Sequence, residues 1–95
     1  MEVKYYGGFM KSIEVKMKKI QSSNIESIGY NSGKLFIRFK GNTVYKYDNV
    51  SRETNDILME SDSKGKFIHN NIKGVFVSTK INLAENKDYE FVEKE

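Results

Sequence analysis

The chain has 95 residues, 38% aliphatic or aromatic and 31% charged, with a net charge of +3 and no cysteine. That length fits one small domain with its own core, and the missing cysteine excludes disulfides, thiolate metal sites and thiol nucleophiles. Its apolar runs are too short for a transmembrane helix, and no apolar leader opens the chain, so the expected location is the cytoplasm. Charge is uneven: residues 1–82 carry +6 and residues 83–95 carry −3. A basic body with an acidic tail admits nucleic acid or an acidic protein as partner.

Residues 2–9 suit a short edge strand ending at Gly7-Gly8, where glycine breaks regular structure. Residues 11–20 fit two periods, since Ile13, Val15 and Met17 alternate while Met10, Ile13, Met17 and Ile20 form a helical stripe. The β-branched start favours a strand over 13–21, with Lys16, Lys18 and Lys19 suiting an exposed edge. Ser22-Ser23-Asn24 reads as a turn, and Ile25 to Tyr30 as a strand whose alternation slips at Gly29, as at a bulge.

Asn31-Ser32-Gly33-Lys34 supplies a hairpin into a strand with Leu35, Ile37 and Phe39 on one face and Phe36, Arg38 and Lys40 on the other. Gly41-Asn42 makes a second hairpin, Thr43 to Tyr47 the third strand of a meander, and Asp48-Asn49 its end. Ser51 is placed to cap a helix running to about Ser61, with Glu53 and Asp56 near its start and Ile57 and Leu58 as its buried stripe. After Ser63-Lys64-Gly65-Lys66, the residues Phe67, Ile68 and Ile72 predict a short second helical turn closing at Gly74. Val75–Thr79 and Tyr89–Val92 read as strands, with Leu83 to Lys87 as a loop. The predicted fold is α+β: an antiparallel β-meander sheet with one main helix and a short second helical turn packed on one face, in a single domain.

Ser22-Ser23-Asn24-Ile25, Ile28-Gly29-Tyr30, Tyr45-Lys46-Tyr47 and Ser63-Lys64-Gly65-Lys66-Phe67 with Ile72-Lys73 resemble, in order and spacing, the KTSC domain. That family is named for the C-terminal extension of some lysyl-tRNA synthetases and also occurs as small stand-alone proteins of bacteria and phages. The likeness spans about residues 15–76. It implies a β-rich meander, a helix and a Ser-x-Gly-x-aromatic segment leading into a second short helix. It implies no established activity, and RNA enters only through the synthetase connection. Two positions depart from the family pattern: Ser51 stands where many members have proline, and His69 where they tend to have asparagine. Extensions precede and follow the likeness.

Each candidate site has two readings. Tyr45 and Tyr47 share a strand face and could stack bases beside Arg38 or Lys40, or else pack under the helix with their hydroxyls at the rim. Ser63-Lys64-Gly65-Lys66 could meet a phosphate, or be a solvated turn without P-loop spacing. Lys16, Lys18 and Lys19 could join Lys64, Lys66 and Lys73 in one basic surface, or serve only solubility. His69 stands alone, and Glu60 and Asp62 look like solvated charge, so no catalytic, metal or cofactor site is predicted. The tail, with Tyr89, Phe91 and Val92, could mimic nucleic acid, dock on a basic partner or add an edge strand.

Two functions follow. One is a non-enzymatic nucleic-acid-binding module, RNA above all, using Arg38, Tyr45, Lys46, Tyr47, Lys64, Lys66 and Lys73. The other is a phage or prophage protein-interaction module that docks on and modulates a host protein such as a host-defence component. The second draws on small size and on a lysine-, asparagine- and isoleucine-rich vocabulary typical of AT-rich genomes, with 14 Lys against 2 Arg.

Overall fold

The structure, a computed structural model, describes residues 3–6 and 10–94, with side chains from Ser12 onward. The Gly7-Gly8 break lies outside the described residues. Seven strands and two helices follow in the order β1 (Val3–Tyr6), β2 (Met10–Lys19), β3 (Ile25–Asn31), β4 (Lys34–Phe39), β5 (Thr43–Tyr47), α1 (Arg52–Glu60), α2 (Lys64–Asn71), β6 (Ser78–Ile81) and β7 (Tyr89–Lys94).

The meander forms where the turn chemistry places it. Ser32 (φ 50°) and Gly33 (φ 82°) make the two-residue turn between β3 and β4, and Gly41 (φ 93°) with Asn42 (φ 68°) reverses the chain into β5. β6 then pairs antiparallel with β5, Tyr47 opposite Ser78. The sheet is mixed rather than purely antiparallel, because β7 runs parallel to β2, with Ile13 opposite Tyr89 and Lys18 opposite Lys94. β2 is therefore no edge. It pairs with β1, β3 and β7, and Lys16, Lys18 and Lys19 project from it into solvent.

The predicted slip in β3 exists at Glu26, three residues before Gly29. The register shifts between Ile25 and Ser27, so Ile25 and Ile28, three apart, enter the same apolar cluster. Gly29 has a different role. A Cβ there would lie 2.5 Å from the Met17 sulfur and 2.8 Å from Val15 Cγ1, so β2 and β3 approach this closely only over a glycine.

Two clusters lie on opposite faces of the meander. On one, Ile25, Ile28, Leu35, Ile37 and Tyr47 meet Val50, Leu58, Ile68 and Ile72, so both helices pack on a single face. On the other, Val15, Met17 and Phe36 are closed over by Ile13, Tyr89 and Phe91. β4 feeds both, Leu35 and Ile37 one way and Phe36 the other, as the period of two requires.

The helices meet one expectation and depart from two. Ser51 caps α1 by accepting from the Thr54 N–H at 3.1 Å. Leu58 is fully buried, but Ile57 is 52% exposed, because the side of α1 that carries Leu58 is the one turned to the sheet. The second helix has eight residues rather than one turn. Its backbone ladder continues past Phe67 to the Ile72 and Lys73 N–H groups, both donating to the Ile68 carbonyl, before Gly74 (φ 77°) ends the run.

Strand pairing after Gly74 starts later than the Val75–Thr79 pattern suggests. Val75 and Phe76 donate to the Ile72 carbonyl and stay tied to the helix end, so β6 starts at Ser78. Among the described residues no helix is long and apolar enough to cross a membrane.

A candidate nucleic-acid interface around Phe39 and Lys73

Tyr45 and Tyr47 leave the same face of β5 and end in different surroundings. Tyr47 is 3% exposed and belongs to the helix-face core, where burial first and the neighbouring Tyr45 second raise its phenol above the usual 10.0. Tyr45 is half-buried, with its ring edge-on to Phe39 at 6.0 Å. Lys73 extends its amine over Phe39, 5.0 Å from the ring centre.

These side chains line an open groove of about 380 Å³ together with Thr43 and Ser78. Phe39 and Lys73 also line a second groove of about 280 Å³ against α2, where Asn24, Lys66 and His69 stand. The two grooves share Phe39 and Lys73 and together make up the Phe39 track. Lys66 and Lys73 make no ion pair among the described residues.

The remaining predicted residues lie elsewhere. Arg38 and Lys46 belong to the opposite face of the sheet, where the tail partners both. Arg38 Nε donates to Glu93 at 3.1 Å and its guanidinium lies 5.8 Å over Phe91; Lys46 lies 3.6 Å from Asp48 and 5.9 Å over the Tyr89 ring. Lys64 folds back to donate to the Ser61 carbonyl at 2.9 Å, beside Lys18 and Lys19. Tyr45, Lys66 and Lys73 thus come together, while Arg38, Lys46 and Lys64 do not join them; Tyr47 belongs to the core and still borders the first groove. Phe39 and Asn24 were missed. The strand alternation that puts Phe39 on the face of Tyr45 was the signal for the first. Among the described residues no group of three acids and histidines could hold a metal.

The sequence markers knit this region together. Ser22 Oγ accepts from the N–H groups of Asn24 and Ile25, Gly65 packs on Ser22 and Ile25, and the Tyr30 hydroxyl donates to the Val50 carbonyl at 2.6 Å. The KTSC domain model matches residues 21–76, which hold all of these. The chain belongs to the KTSC domain family. A Tsukamurella paurometabola protein is 36% identical over 62 residues, 63% of this chain and 92% of that one. The crystal structure of a KTSC domain protein from Yersinia pestis matches with a TM-score of 0.68 and 34% identity, covering 72% of this chain and 99% of that one. These relatives are matched almost end to end by part of this chain, and the family match stops at residue 76. β7, which closes the second core, is therefore an addition to the matched KTSC region.

Proposed function

We propose that this KTSC domain is a small non-enzymatic module that binds single-stranded nucleic acid, RNA in the first place, along the track through Tyr45, Phe39, Lys73 and Lys66. The observation that supports it is the placing of the half-buried Tyr45 and Phe39 rings beside Lys73 and Lys66, which make no ion pair among the described residues, in two grooves that share Phe39 and Lys73. Rings of this kind stack unpaired bases, and the lysines meet phosphates without needing a fixed sequence. The test is the affinity of the full chain for a fluorescent single-stranded RNA at several salt concentrations. Binding is expected to weaken steeply with salt, and Lys66→Ala and Lys73→Ala each to flatten the log–log slope by about 0.7. Tyr45→Ala is expected to cost about 1–3 kcal/mol. No binding at low salt would refute this reading.

A second observation favours a protein partner. β6 pairs only with β5 among the described residues, and Val75 and Val77 beside it are 64% and 70% exposed. An open edge flanked by apolar side chains is suited to receiving an extended segment of another protein. On this reading a bacterial protein retained by the chain survives nuclease treatment and is lost with Val77→Lys. A partner that nuclease removes would return the argument to nucleic acid.

A further inference from the structure

Phe39 opens onto a third space. At the ends of β2, β4 and β7 lies a cleft of about 500 Å³ lined by Phe39, Lys19, Arg38, Asn42, Glu93 and Lys94 among others, so Phe39 borders this space as well as the track. Three cations, Lys19, Arg38 and Lys94, and two carboxylates, Glu26 and Glu93, face this cleft. The best placed is Arg38, whose side chain is only 15% exposed and is oriented by Phe91 beneath it and by Nη1 donating to Asn42 Oδ1.

Its acidic partner is loosely held by comparison. Glu93 is 42% exposed and contributes one carboxylate oxygen at 3.1 Å from Arg38 Nε. The parallel register brings it there by pairing Glu93 with Met17. A guanidinium binds carboxylate and phosphate by the same fork of N–H donors. A surface pair of this kind is weak and easily exchanged.

We propose that the end cleft is a further phosphate-binding part of the site and that Glu93 of the tail is its internal competitor. Glu93 occupies Arg38 where a phosphate of a bound strand would sit, and the strand must displace it to pass from the Phe39 track into the cleft. The proposal rests on the nucleic-acid reading above. It gives the added C-terminal strand a role in setting affinity, since β7 brings the carboxylate to an arginine that lies within the matched family region.

The experiment uses the full chain and a single-stranded RNA long enough to span both spaces, with wild type, Glu93→Gln, and Glu93→Gln combined with Arg38→Gln. The glutamine keeps the size of the side chain, and β7 retains its backbone pairing and its Tyr89 and Phe91 packing, so the variant is expected to fold. Glu93→Gln should tighten binding roughly two- to fivefold and steepen the salt slope by about 0.7. Arg38→Gln should abolish both gains. Unchanged affinity in Glu93→Gln, or a gain that persists without Arg38, overturns the competitor while leaving the Phe39 track in place. Absence of RNA binding by both wild type and Glu93→Gln overturns the nucleic-acid reading and this inference with it.

Discussion

Tyr47 is 3% exposed within the helix-face core, and the cost of ionising its phenol there falls on folding. Burial raises its phenol pKa above the ordinary 10.0 and the Tyr45 phenol raises it further. The folded chain thus keeps this proton more tightly than the unfolded chain. The contribution to stability is complete below pH 10 and is lost as pH rises through the higher folded value. Tyr47→Phe removes the ionisation, so the stability difference between variant and wild type should shift in favour of the variant above about pH 10. Thermal melts of both proteins from pH 8 to 11 check this, and parallel curves at every pH would disprove it. Tyr45 does other work at nearly the same address: half-buried beside Phe39 and Lys73, it retains a surface for a ligand. The sequence showed that the two share a strand face, but period two does not say how far a helix covers that face.

At the scale of elements, the parts fixed by local chemistry were legible. Gly33 and the Gly41-Asn42 pair demanded turns, Ser51 demanded a cap, and the alternation from Leu35 to Phe39 fixed β4. The misread parts depend on distant partners. Nothing inside Tyr89–Lys94 states that β2 lies alongside in the parallel sense, and nothing in Val75-Phe76-Val77 states that Ile72 will hold the first two residues at a helix end. The candidate site was legible to a similar degree. Tyr45, Lys66 and Lys73 belong to it by fold, but the placing of Arg38 and Lys46 under the tail follows from β7. That strand brings Tyr89 and Phe91 edge-on to Phe36 at 4.9 and 5.5 Å, and the aromatic contacts carry Glu93 along with them. The tail thus sets its Glu93 carboxylate against Arg38 and its Tyr89 ring against Lys46.

For the whole molecule, the decisive feature is that one strand supplies both cores. Leu35 and Ile37 enter the helix-face cluster while Phe36, between them, anchors the cluster closed by β7. A local opening of either face would have to leave β4 supported from one side only. We therefore expect the faces to unfold as one cooperative unit, as small domains commonly do. Phe36→Ala, on the tail side, should cost about 3–5 kcal/mol and Leu58→Ala, on the helix side, about 2–5 kcal/mol. The informative measurement is native-state hydrogen exchange. In Phe36→Ala, the slowest amides of β5 and α1 should lose as much protection as those of β2, although α1 packs on the opposite face from the substitution. Loss confined to β2 and β7 would mean that the added strand forms a separate unit laid on an independent KTSC core. In that case the Glu93 carboxylate would leave Arg38 by opening of the whole strand, and the affinity gain of Glu93→Gln would be matched by any substitution that loosens β7.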